Sequence, residues 1–254
     1  MGIVNTADNV SSILETKLRK NSNTSKALVL NAACHDYTFY QYVLRHRTLS
    51  AQLQPKVIVV VAYMGNDFLG LEDTRRPYID DQGREQPTNL NPPAETTTAR
   101  LKELGLDKPG PLSGLFWQAL NQALYFQQHP ERVPVVKQKA IRVLQLLQAE
   151  AKKSKAQLVL AVLPSCDLVL PDAVGMLNTP AIRSVLKSGI QQKLYDWFLS
   201  TLQKQGIEHI DLLPLLRNDG RTELFAKDLH IWVPAHRLIA EKMLKKLLPM
   251  LRND

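Results

Sequence analysis

Residues 56 to 68, Lys-Val-Ile-Val-Val-Val-Ala-Tyr-Met-Gly-Asn-Asp-Phe, constrain the fold more than any other stretch of the chain. The apolar residues from Val57 to Tyr63 do not alternate with polar ones, so the run reads as a strand buried on both faces. The polar triplet Gly65-Asn66-Asp67 then sits at the C-terminal tip of that strand. In an open α/β sheet, ligands bind just outside the carboxyl ends of the strands. Asn66 is therefore the first candidate for a functional side chain.

Strand and helix signals alternate along the rest of the chain, which predicts parallel βαβ units. Asp8-Asn9 suits the start of a helix running to about Leu18, with Val10, Ile13, Leu14 and Leu18 on one face. A short buried strand is expected over Ala27 to Asn31, followed by a helix from about Thr38 to Leu53. After the strand at Val57 to Tyr63 comes a polar tract from about Leu71 to Leu112, rich in Pro, Thr, Asp and Arg, which reads as an insertion. Two helices follow, about Ser113 to Gln128 and Pro134 to Lys153, then a strand at Gln157 to Leu163 and a loop bearing Ser165, Cys166 and Asp167. Thr179-Pro180 begins a long helix to about Gln205, with Gly206 as its stop. A strand at Ile207 to Leu212 and a helix from Pro234 to Leu248, with Pro249 just beyond, close the pattern. No repeat and no linker is evident, so residues 1–254 read as one domain.

Composition narrows the possibilities. The chain has 254 residues, 44% of them hydrophobic, which suffices for a substantial core. Its net charge is +8, which permits anionic partners. The Lys and Arg residues are spread along helices, however, so no nucleic-acid partner is expected. Two cysteines, Cys34 and Cys166, are too few for a disulfide scaffold and lack metal-ligand spacing; both read as buried thiols. No cofactor and no metal site is expected. No apolar run approaches the roughly 18 residues of a membrane span, and no signal-peptide pattern opens the sequence. The chain reads as soluble as written, while an upstream export signal or anchor and the compartment stay open.

Beyond periodicity, several blocks resemble the SGNH (GDSL) hydrolases. Tyr63-Met-Gly-Asn-Asp-Phe68 is similar to that family's third block, and Asp228-Leu-His230, followed by His236-Arg-Leu-Ile-Ala240, to its last. Ala27-Leu-Val-Leu-Asn-Ala-Ala-Cys-His-Asp-Tyr-Thr38 looks like the second, and Ile210-Asp-Leu-Leu-Pro-Leu215 like the fifth strand and its exit. The resemblance implies a three-layer α/β/α, flavodoxin-like parallel sheet. It also implies a serine esterase or acylesterase acting on a small-molecule or carbohydrate ester, such as an O-acetyl group.

The carried-over roles follow the chemistry. A serine hydroxyl needs a base; His230, oriented by Asp228, fits that role. The oxyanion formed on ester attack needs preorganised donors, which Asn66 and the block-two backbone N–H at Asp36 are placed to supply. Two departures stand out. Asp36 occupies the block-two position where the family has glycine, which alters the backbone freedom there. The nucleophile block, Gly-Asp-Ser, is missing from the sequence, which opens Met1-Gly2-Ile3-Val4. If Gly2 is the glycine that follows that serine, then the serine and a first strand would precede Met1. The alternative is a non-catalytic SGNH-like binding or scaffold domain, and the coding sequence upstream of Met1 separates the two.

Other candidates carry plainer readings beside the functional ones. Ser165 follows a strand in the right direction, but a Pro-Ser-Cys turn is ordinarily a loop. Cys34-His35-Asp36 spells a triad, yet neighbours on an extended chain point to opposite sides; His35 is equally a pocket residue. His236 reads as a packing residue in a first helical turn. Trp117, Tyr125 and Phe126 read as core rather than as a sugar platform. Leu238, Met243, Leu244, Leu247 and Leu251 make a packing stripe beside the basic face of Lys242, Lys245, Lys246 and Arg252, rather than a membrane-binding surface.

Overall fold

The computed structural model describes residues 5–34, 37–73, 75–80, 82–88, 114–171, 180–219, 221–226 and 230–251. Helix α1 (Val10–Arg19) begins at Asn9, whose side chain accepts a hydrogen bond from the Ser12 N–H at 2.8 Å. Helix α2 (Phe39–Leu53) begins at Thr38, where the Gln41 carboxamide accepts from both the Thr38 N–H (3.1 Å) and its hydroxyl (2.8 Å). Strand β1 (Val57–Tyr63) leads into a single turn, α3 (Asp67–Gly70), and then a two-stranded antiparallel hairpin, β2 (Tyr78–Ile79) and β3 (Glu85–Gln86). Helices α4 (Gly114–Gln128) and α5 (Arg132–Lys153) return the chain to β4 (Gln157–Leu163). Then come α6 (Cys166–Val169), α7 (Pro180–Lys187), α8 (Ile190–Lys204), β5 (Glu208–Asp211), α9 (Leu213–Asp219) and α10 (Val233–Leu251).

Among the described residues the main sheet has three parallel strands in the order β1-β4-β5. Val57 lies opposite Gln157, and the register holds to Tyr63 opposite Leu163; β4 pairs with β5 from Val159 opposite Glu208 to Val162 opposite Asp211. The central strand explains why helices flank this sheet. Val159, Leu160, Ala161 and Val162 all lie buried although they point alternately to opposite faces, so both faces must be covered. Helix α1 packs on α10, α2 on α5, α5 on β4, and both α8 and α10 on β5. Ion pairs Lys17–Glu241 (3.0 Å) and Arg47–Glu150 (3.0 Å) lie on the α1–α10 and α2–α5 contacts.

The chain is thus mixed α/β with a parallel sheet, but five expectations need correction, burial of β1 on both faces among them. Residues 27–31 form no strand; they are extended and pair with no strand. A strand is stable only with a partner. Here Glu15 accepts from the Val29 N–H (2.7 Å), Arg19 donates to the Ala27 carbonyl (3.2 Å) and Arg45 to the Ala32 carbonyl (3.4 Å). Leu28 and Leu30 are left 78% and 62% exposed, and Val61 of β1, an edge strand despite its apolar sequence, 41%. The long helix expected from Pro180 is two helices, because Gly189 adopts φ 65°, a left-handed conformation that interrupts the hydrogen-bond ladder. Cys34 is exposed rather than buried, being on that unpaired segment. Helix α10 continues through Pro249 to Leu251.

Candidate functional site

The C-terminal tip of β1 is held by an unusually dense set of contacts. The Met64 N–H donates to the Leu163 carbonyl at 2.9 Å, so the β1–β4 pairing persists to the start of the Gly65-Asn66-Asp67 turn. Asp67 is wholly buried, with its carboxylate accepting from the Tyr63 N–H (2.9 Å) and the Tyr42 hydroxyl (3.0 Å). Burial pushes its pKa well above the ordinary carboxylate value, outweighing those two hydrogen bonds. Burial, and then Asp67 itself, raises Tyr42 as well. Tyr63 is raised by burial and by the nearby Cys166, Asp167 and Asp67. Both the carboxyl and the phenols favour their neutral forms, as a water-poor site requires.

Two glycines allow the close approaches. A Cβ at Gly65 would fall 2.3 Å from the Tyr63 ring, and one at Gly70 would fall 2.4 Å from the Thr38 side chain. Thr38 against Gly70 and Tyr42 against Asp67 together bring the start of α2 onto the β1 tip. Two stretches far apart in sequence, 37–42 and 63–70, are thereby locked together.

Asn66 caps this turn. Its Nδ2 donates to Gln118 Oε1 at 3.2 Å, and the Gly70 N–H donates to its carbonyl at 2.9 Å. One turn further along α4, Gln122 donates to the Met64 carbonyl (2.8 Å) and accepts from the Leu69 N–H (3.0 Å). A single buried carboxamide thus grips the Asn66 turn on both sides. Gln191, at the start of α8, accepts from Gln122 (2.8 Å) and donates to the Ala119 carbonyl (2.9 Å).

His230 lies beyond the β5 exit, in a narrow loop just before α10. The Ala226 N–H donates to the His230 carbonyl (2.8 Å), the Trp232 N–H to the Leu224 carbonyl (2.7 Å), and Phe225 bridges Ile231. Asn66 follows the C-terminal end of β1 directly, whereas the chain leaving β5 runs through α9 and the single turn Thr222–Leu224 before it reaches His230. Asp228, Asp36 and His35 lie outside the described residues, as does the Trp117 side chain. His236, in the first turn of α10, is half-buried, and burial lowers its pKa.

The competing nucleophiles are poorly placed for a general ester. Ser165 is completely buried. It lies beside Asp167, whose pKa burial raises in spite of that hydroxyl. Burial pushes the Cys166 thiol up to about 12, far from the thiolate a nucleophile requires. Phe126 is fully buried, and Tyr125 packs on the core with its hydroxyl toward Glu72. The described part of the insertion is firmly docked: Glu72 pairs with Arg132 and with Lys139 (2.7 Å), Gln41 donates to the Pro77 carbonyl (2.7 Å), and Tyr40 stacks at a tilt on Tyr78.

Tyr42, Gln118, Gln122 and Gln191 were not legible as contacts of this turn, and Asp67 was legible only as a member of the Gly65-Asn66-Asp67 triplet. The one available signal was Gln118 and Gln122 at i, i+4 in an otherwise apolar helix, a spacing that puts both on one face. Among the described residues, no group of three or more His, Cys, Asp or Glu residues suits a metal ion, and no helix is long and apolar enough to cross a membrane. Comparison with protein-family models, curated proteins and solved structures found no match.

Proposed function

We propose that this domain carries the oxyanion and base elements of an SGNH-type ester hydrolase acting on a small acyl ester, such as an O-acetyl group on a carbohydrate. The observation that supports the reading best is Asn66. It is a carboxamide donor at a strand tip, with its turn clamped and one N–H engaged by Gln118, while its other N–H has no partner among the described residues. A donor held in advance where negative charge develops is what acyl transfer requires. His230 would take the nucleophile's proton and Asp228 would fix its tautomer. The nucleophile in this reading is a serine in a Gly-Asp-Ser strand placed ahead of residue 1, because the sequence holds no such motif and Ser165 is sealed.

A chromogenic acetyl ester tests this with two proteins, residues 1–254 alone and the same chain with a Gly-Asp-Ser strand fused to its N-terminus. Turnover is expected only from the fusion. Asn66→Ala should reduce it by roughly 10² to 10³-fold, the usual cost of one oxyanion donor, and His230→Ala should abolish it. Robust turnover by the unfused chain that disappears in Cys34→Ala or Ser165→Ala would overturn the assignment. A folded but inert fusion would favour the second reading, a binding or scaffold domain, which the Asp36 replacement supports.

A further inference from the structure

We propose that Gln122 and Gln191 are positioning residues for Asn66, forming with Gln118 a relay that fixes the direction of its carboxamide from the body of the fold. The inference rests on the reading of Asn66 as a donor, but its physical content is independent of turnover. Gln122 is fully buried and Gln191 nearly so. Buried carboxamides are costly unless their groups are paired. The pairing of Gln122 admits only one orientation: its oxygen meets the Leu69 N–H, and its NH₂ meets the Met64 carbonyl and Gln191 Oε1. A flip would set donor against donor and acceptor against acceptor. Gln191 is likewise fixed, since its NH₂ meets the Ala119 carbonyl on the helix that carries Gln118 and Gln122.

The consequence is mechanical. The backbone on both sides of Asn66, at Met64 and at Leu69, is attached to the same side chain. Asn66 therefore cannot swing as a free loop residue would, and Gln118 Oε1, on the same face of α4, draws its NH₂ rather than its oxygen inward. The relay holds the backbone that carries Asn66, and Gln118 engages one of its N–H groups, so the other suits an anionic or oxyanionic ligand atom and disfavours a cation. Gln191 reaches this effect without touching Asn66 at all, acting from α8 through Gln122.

Selective ¹⁵N-asparagine labelling of the whole chain tests the relay. The Asn66 side-chain NH₂ pair is identified by its loss in Asn66→Asp, and its exchange with water is then followed. Gln122→Ala and Gln191→Ala should each accelerate that exchange by about ten-fold, as expected for removal of one net hydrogen bond. Gln191→Glu, which keeps the acceptor toward Gln122, should fall between. The control is Leu147→Ala, a core truncation on α5, which should lower the melting temperature and leave the Asn66 pair unchanged. If Gln122→Ala does not fold, Gln191→Ala decides the matter. Unchanged exchange in Gln191→Ala, or an equal change in Leu147→Ala, would overturn the relay. An inactive protein with the expected exchange pattern would instead count only against the hydrolase reading.

Discussion

A parallel apolar strand supplied to the outer edge of β1, which pairs with no strand among the described residues, should stabilise the protein measurably. The perturbation is an N-terminal fusion of six β-branched residues and a short polar connector to residue 1. Val61, Leu28 and Leu30 together keep a little under two side chains' worth of apolar surface in water, judged from exposures of 41%, 78% and 62%. Full burial contributes roughly 1.5–3 kcal/mol per side chain, so covering half of that surface gives about 1.5–3 kcal/mol. Ladder hydrogen bonds and the strand's own side chains act against the cost of ordering it, about 1–2 kcal/mol per residue. In a domain of this size each kcal/mol shifts Tm by roughly 2–4 °C. A rise of about 5–10 °C is expected, with slower amide exchange in β1 at the positions facing away from β4. Differential scanning calorimetry and hydrogen exchange read both quantities. An unchanged Tm with unprotected β1 amides would show that the edge is not a strand acceptor, and the same gain from a scrambled polar extension would show that pairing is not the cause.

Two further outcomes follow from the β1 tip. Gly70→Ala places a Cβ 2.4 Å from the Thr38 methyl carbon, on a side chain whose hydroxyl is held by Gln41, and should cost about 1–3 kcal/mol as overpacking does; a loss below ~0.5 kcal/mol in urea unfolding would contradict the locked contact. Asp67 has a folded pKa raised by burial, so the folded state binds its proton more tightly than the unfolded one and stability declines as pH rises from about 4 toward the folded pKa. Asp67→Asn should remove that decline, so the wild-type minus variant stability difference must become more negative with pH over that window, and a flat difference would refute the buried-acid account.

How much of this was legible beforehand depended on whether a residue's environment was local. The bounds of β1 and β4 match the sequence reading because each is an uninterrupted apolar run, but only β4 is covered on both faces, Val61 leaving β1 partly open. Residues 27–31 have the same local character, yet they form no strand, since pairing depends on a neighbour and not on propensity. The helix break at Gly189 has a signal in the sequence, a glycine between two helical stretches, which the expectation of one helix to Gln205 did not use. The position of Asn66 just past the tip of β1 was legible. The burial of Asp67, its two tyrosine contacts and the glutamine relay were not, because each joins residues from separate elements. For Asp228 and Asp36 the sequence reading stands alone, as both lie outside the described residues.

Among the described residues no strand pairs with the outer edge of β1, which also bears on how copies of this molecule tolerate one another. Val57 to Tyr63 contains no lysine, proline or bulge of the kind that keeps edge strands apart, so the net charge of +8 is the main barrier to contact between copies. That barrier is long-ranged only in dilute salt, since the screening distance shrinks from about 30 Å at 0.01 M to about 8 Å at 0.15 M. The colloidal behaviour of the protein is thus tied to ionic strength, and turbidity should appear on adding salt well before any loss of secondary structure.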